Sequence, residues 1–339
     1  MKKLFKNTIS VLLGAIVLSF ALLGVGCLTA QEKGPDLEYK LVDNTYYEVT
    51  GIGSITDTDI VIPETYNELP VKTIAASAFK DGANLTSVEI GNSVTTIGAS
   101  AFQSCANLTS VEIGNSVISV GAYAFNGCTG LESVEIGAAV KTIGESAFQG
   151  CASLQSVVIP DSVTTIEGYA FTGCTDLGSV TFGNSLKSIK TRAFASCTSL
   201  KSIKIPNSVT SISSLVFSGC TSLETVELGA AVKSIGESSF NGCTNLSSIT
   251  FGNLIKTIAR CSFSGCKNLT GLEIPASVTF IGDNTFVNCT SLTTVIFKNT
   301  EGWKSNNTSI ASTDLANSEK AALYLKSTDY YCLYGWSRS

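Results

Sequence analysis

Apolar residues return along this chain with a fixed step. Leu85, Leu108, Leu131, Leu154, Leu177, Leu200, Leu223, Leu246, Leu269 and Leu292 stand 23 residues apart. After each leucine the order is L-x-x-V-x-I, as in Val88 and Ile90, followed by Val94, Ile97, Phe102 and Cys105. The phenylalanine keeps the same step from Phe79 to Phe286, through nine full periods without an insertion. Val88 and Ile90 alternate with Ser87, Glu89 and Gly91, a period of two that predicts a short strand with one side in a core and the other in water. The IGASAFQSC segment predicts a short helical or 3₁₀ return carrying Phe102. Its exit slot reads Ser104, Gly127, Gly150, Gly173, Ser196, Gly219, Gly242, Gly265 and Asn288, mostly residues that tolerate positive φ. Such units cannot bury their apolar side alone, so they must stack.

A period of about 20 to 29 residues with this leucine spacing is the leucine-rich repeat signature. The predicted fold is therefore a leucine-rich repeat solenoid of the α/β type, with short strands in a parallel sheet, short helical or 3₁₀ returns, and caps at both ends. The consensus LxxVxIxxSVxxIGxxAFxxC closely resembles the BspA-like leucine-rich repeats of bacterial surface proteins, over roughly residues 39 to 336. That resemblance implies a surface-displayed solenoid that adheres to host matrix proteins or to other cells.

Outside the repeats the pattern changes. Residues 1–27 hold Lys2, Lys3 and Lys6, an apolar run from Ile9 to Leu23, and Gly24, Val25 and Gly26 before Cys27. This is a signal-peptide pattern. Cys27 resembles the cysteine of a bacterial lipobox, which becomes acylated; an uncleaved apolar anchor and plain cleavage with secretion are the alternatives. All three carry the chain across a membrane, and the expected location is the bacterial cell surface or outer membrane, lipid-anchored or else secreted. Residues 28–38 read as a tether, and 39–62 as an antiparallel β cap around turns at Asp43-Asn44 and Gly51 to Gly53. The solenoid is expected over 63–298 and a C-terminal cap over 299–339. That last segment contains the helical stretch LANSEKAALYLKS and the aromatics Trp303, Tyr324, Tyr330, Tyr331, Tyr334 and Trp336. These aromatics read as cover for the last coil, with a ligand-contacting patch as the alternative.

Composition narrows the function. Charged residues are 14 % of the chain, against about 25 % in typical soluble domains, so Ser, Thr, Asn and Gly must form much of the surface. A net charge of −5 gives no field for polyanions, and no nucleic-acid partner is expected. Histidine is absent, which removes Ser-His-Asp and Cys-His catalysis and histidine-ligated zinc. No cofactor is expected. Nine of the twelve cysteines share one repeat slot, from Cys105 to Cys289. Neighbours in such a slot point the same way rather than toward each other, so free core thiols are expected, with scattered disulfides as the alternative. Cys261 and Cys332 fall outside the slot.

The candidate binding surface is the exposed sheet face. Ser87, Ser110 and Ser133 precede the strand valines, and Glu89, Glu112 and Glu135 follow them as a like-charged row. Farther along, Lys201 and Lys204 add a basic element to the strand face. This face is expected to accept an extracellular protein or glycan, the acidic row taking a basic surface or a weak divalent cation. Repeat duplication with solvated side chains is the bland alternative. Catalysis is not expected, because the glutamates sit on a regular open sheet rather than in a cleft. A structural spacer or coat component without a dedicated ligand is the alternative function.

Overall fold

A computed structural model describes residues 37–54, 56–327 and 331–338. The predicted signal peptide with Cys27, most of the predicted tether, and Tyr330 lie outside the described residues. The repeats wind into a solenoid in which equivalent residues, 23 apart, pair in parallel: Val88 with Val111, and Val111 with Val134.

Each coil carries two strands, where the sequence pattern gave one. The first is the predicted strand, Ser87–Ile90 and its counterparts. The second is a two-residue strand, Thr96–Ile97 and its counterparts, rich in the β-branched residues that favour pleated backbone. This second ladder runs without interruption from Leu69–Ile74 to Phe280–Ile281. The first ladder falls into three pieces: Asp59–Ile62 through Ser179–Phe182, then Ser202–Lys204 through Ser248–Thr250, then Gly271–Ile274 with Thr294–Phe297.

The returns consist of linked tight turns, with the i→i−3 bonds of a 3₁₀ helix but no regular helix. Gln103 N–H donates to Ser100 O at 3.1 Å and Cys105 N–H to Phe102 O at 3.3 Å. Alternate amides leave the coil. Ser100, Phe102 and Ser104 donate to Ala122, Ala124 and Asn126 of the next coil at 2.7 to 2.8 Å. The return is thus a third ladder made of turns. Its geometry needs two left-handed residues per coil. One is the predicted exit slot, with φ 63° at Ser104 and 73° at Gly127. The other lies two residues before the phenylalanine and holds no glycine: Ser100, Tyr123, Arg192, Leu215 and Cys261 have φ between 52° and 61°. Left-handed backbone costs a non-glycine residue about 1 to 2 kcal/mol, and the coil-to-coil bonds on either side hold it there.

Inside, Phe79 to Phe286 form one column of ten stacked rings. Successive centroids are 4.9 to 5.7 Å apart and successive planes tilt by 2° to 13°, an offset-stacked geometry. Beside the column runs the cysteine slot, and its thiols are free, as expected. Each Sγ donates to the phenylalanine carbonyl of the preceding coil, from Cys105 to Phe79 O through Cys289 to Phe263 O, at 3.1 to 3.3 Å. That carbonyl also closes the local turn, so the thiol engages its second lone pair.

At the N-terminal end, strands Glu38–Val42 and Tyr46–Gly51 form an antiparallel hairpin around Asp43 and Asn44, both left-handed. The second of these strands extends the second ladder by pairing in parallel with Leu69–Ile74. Tyr39 stacks on Tyr66 at 3.8 Å, with Tyr47 edge-on to both. Asp59–Ile62 already pairs in parallel with Ser87–Ile90, so coil register begins just before residue 63. At the other end, Trp336–Arg338 pairs antiparallel with the last second-ladder strand, Phe280–Ile281, and with Trp303–Ser305. Arg338 Nε donates to Val278 O at 2.8 Å, and Nη2 donates to Ala276 O. The Ser318–Lys326 helix, whose first amides are accepted by the Asn317 side chain, packs on the Thr294–Phe297 strand.

The ring column should carry much of the stability. Phe148→Ala, in mid-column, is expected to cost about 3 to 5 kcal/mol in urea unfolding followed by circular dichroism. A loss under 1 kcal/mol would mean that the rings are passengers of the backbone ladders.

Candidate functional site

The strands that carry the candidate face are in register. Ser87, Ser110 and Ser133 align across adjacent strands, as do Glu89, Glu112 and Glu135. Alternation along each strand sends the intervening valines toward the core and the glutamates into solvent. Among the described residues no cation pairs with these three carboxylates. Their mutual repulsion shows at the middle one, where partial burial first, and then the fields of Glu89 and Glu135, raise the Glu112 carboxyl above its ordinary value. A shallow depression of ≈ 160 Å³ borders the row, lined also by Glu64, Asn92 and Asn115. Exposed apolar residues bracket it in the same slot: Val61 at 48 % and Val158 at 64 % exposure.

Lys204 is not part of a separate basic patch. Its ammonium lies 2.7 Å from Glu227 on the next strand, and both are exposed, so the pair contributes little. Lys201 sits just before the Ser202–Lys204 strand rather than in it, exposed, with its carbonyl accepting from Glu224 and Thr225. The two lysines are three coils or more from Glu135, and the structure does not join them to the acidic row. Among the described residues no three carboxylates or thiols converge as metal ligands. Burial lifts the Cys151, Cys197 and Cys243 thiols well above their ordinary value, and Cys174 to about 12. Thiols held protonated in this way are poor nucleophiles and poor ligands. Cys332 is buried, and Cys261 is half-buried beside the exposed Arg260.

Sequence reasoning missed the two gaps in the first ladder. Their signal was present: phenylalanine at 182 and 251 where the repeat has isoleucine or leucine, and Pro206 and Pro275 one coil later.

The repeat is shared with known proteins. The model of the BspA type leucine rich repeat region matches six copies, over residues 72–201, 141–270 and 212–321. The chain belongs to the BspA-type leucine-rich repeat family. Membership in this family supports a repeat-based role in protein interaction. Among solved structures, the leucine rich repeat protein of T. pallidum is 26 % identical, with 62 % of this chain and 88 % of that one covered and a TM-score of 0.47. A leucine rich cell surface protein of Faecalibacterium prausnitzii is 24 % identical, with 78 % and 93 % covered and a TM-score of 0.43. The pneumococcal vaccine antigen PcpA is 19 % identical, with 82 % and 89 % covered and a TM-score of 0.47. No curated protein matches the chain. Among the described residues of this BspA-type protein, no helix is long and apolar enough to cross a membrane.

The acidic row has a pH signature. A carboxyl whose folded pKa is raised weakens the folded state above its unfolded pKa and does so fully above the folded one, while the penalty vanishes once both states are protonated. Glu112→Gln should therefore stabilise the protein at pH 7 by roughly 0.5 kcal/mol, small because the group is largely exposed. The gain should fade below the ordinary carboxylate range in thermal melts. A loss of stability at pH 7 would show that Glu112 is held by a favourable contact instead.

Proposed function

We propose that this protein is displayed at the bacterial cell surface and binds an extracellular macromolecule through the first-ladder face. The observation that carries this reading is the in-register row of Glu89, Glu112 and Glu135, unpaired, raised in pKa at its centre, and bracketed by exposed Val61 and Val158. A rigid sheet that keeps three uncompensated carboxylates side by side suits a basic partner surface, which would relieve the repulsion on binding. Ser110 and Ser133 border the row as hydroxyl donors and acceptors, while the Ser87 hydroxyl donates to Asp59 and keeps its lone pairs to accept. Export through the N-terminal segment and acylation at Cys27 complete the proposal, with secretion as the alternative. The N-terminal hairpin and the C-terminal strand and helices act as caps that keep the column ends from associating. Family membership and the name of the Faecalibacterium neighbour support surface display.

The second reading, a spacer without a ligand, is separated by position. The chain is screened for binding to extracellular matrix proteins and intact cells. Reversal of the row by Glu89→Lys, Glu112→Lys and Glu135→Lys is compared with removal of two whole coils from residues 202–247. Binding should fall at least tenfold on reversal and survive the coil deletion. Loss that follows only the number of coils supports the spacer.

A further inference from the structure

Both gaps in the first ladder follow one residue pattern. The slot occupied by Ile90, Ile113, Ile136, Ile159, Ile205, Leu228 and Ile274 holds Phe182 at the end of the strand before the first gap and Phe251 just after the strand before the second. Both rings are half-buried, edge-on to Phe194 at 5.6 Å and Phe263 at 6.1 Å. The following slot is mostly glycine, because coils touch there: a Cβ on Gly137 would lie 2.2 Å from Gly114 O. On the far side of each gap this slot is Pro206 or Pro275, which brings a ring and no N–H. At the step where this slot holds Pro160, only Ser133 pairs with Ser156. Phenylalanine and proline together leave no strand pairing at all.

The gaps also release polar groups. One slot further on, Asn92, Asn115, Asp161 and Asn207 each accept, through a side-chain oxygen, the backbone N–H one coil ahead at 2.6 to 3.0 Å. Asn184 and Asn253 face the two gaps and make no such bond. At the second gap the buried Ser277 hydroxyl has no partner either, whereas its equivalents Ser162 and Ser208 reach Val140 O at 2.7 Å and Leu186 O at 2.5 Å. This second gap opens as a notch of ≈ 580 Å³ whose lining includes Phe251, Asn253, Glu273, Pro275, Ser277 and Lys298.

We propose that the notch binds a sugar ring of a neutral glycan. A pyranose has an apolar C–H face and a rim of hydroxyls that both donate and accept. Phe251 and Pro275 offer the apolar floor. The exposed Asn253 amide can donate and accept, and the Ser277 hydroxyl in the wall has no partner. Glu273 and Lys298 pair with each other at 2.9 Å, both half-exposed, so that the carboxylate keeps lone pairs and the ammonium keeps N–H groups for a hydroxyl rim. An aromatic side chain would cover Phe251 as Trp336 covers Phe297 in the same slot, at 6.0 Å and 14°, but would leave the Asn253 amide and the Ser277 hydroxyl unmatched. Phe182 and Asn184 repeat the arrangement three coils away, on the order of 15 Å at ladder spacing, so a repeating polysaccharide can engage both. The proposal names a ligand class for the surface-binding role above and rests on it for access to extracellular glycans.

The test is an array of neutral hexasaccharides of glucose, galactose, mannose and xylose, probed with the full chain and followed by titration calorimetry on any that bind. Binding to at least one is expected, weakened at least tenfold by Phe251→Ile and by Asn253→Ala at unchanged folding by circular dichroism, and untouched by reversal of the glutamate row. Binding to none, or binding that Phe251→Ile leaves intact, overturns the proposal. So does Phe251-dependent capture of a tryptophan peptide without any sugar binding. If a protein partner that needs the glutamate row still binds in those cases, the surface-binding role stands and the notch alone falls.

Discussion

Everything in this molecule answers to the coil-to-coil distance. Strand ladders fix that distance near 4.8 Å, and the phenylalanine column runs at 4.9 to 5.7 Å. At such separations every side chain meets its own counterpart one coil away, so a residue type that suits one coil is reinforced in the next. Rings stack on rings, and each thiol reaches the carbonyl behind it. Asparagine oxygens accept the amide ahead, and threonine hydroxyls such as Thr109 and Thr164 reach the carbonyl of the preceding coil. The low charge of the chain is a consequence, since a charged slot copied at this spacing repels itself, as the Glu112 carboxyl records.

How far the sequence could be read follows from the same constraint. The fixed step of 23 and the Val88-Ile90 alternation made the solenoid, its first strand, its ring column and its core thiols legible. The second strand escaped notice because Thr96-Ile97 is too short to show a period of its own and pairs only with its counterparts. The left-handed slot at Ser100, Tyr123 and Leu215 was hidden because no glycine marks it. There the neighbouring coils impose the conformation, and the residue has no say in it. The acidic row was visible as a pattern, but its lack of cationic partners was not, since that depends on where lysines of neighbouring returns and coils reach; the strand-face pair of Lys204 with Glu227 forms farther along the solenoid. The gaps went unread because a single phenylalanine or proline in a repeat resembles drift until its two neighbours are placed in space.

The two proposed surfaces relate to the ladders in opposite ways. The glutamate row depends on unbroken pairing, which holds the three carboxylates parallel and exposed. The notch depends on the pairing being withheld, which frees Asn253 and Ser277 and half-exposes Phe251. A regular repeat can thus gain a specific site by two point departures from its consensus, Phe251 and Pro275, while the continuous second ladder keeps the column intact beneath it.

The turn-rich returns are ladders in their own right, and native-state hydrogen exchange tests this most directly. The amides of Phe125, Phe148 and Phe171 each donate to an alanine carbonyl one coil on, at 2.7 to 2.8 Å. They should exchange as slowly as the strand amides of Val134 and Val157, with protection falling toward both ends of the solenoid. Exchange of these amides at the rate of an exposed loop, with protection confined to the strands, would contradict it.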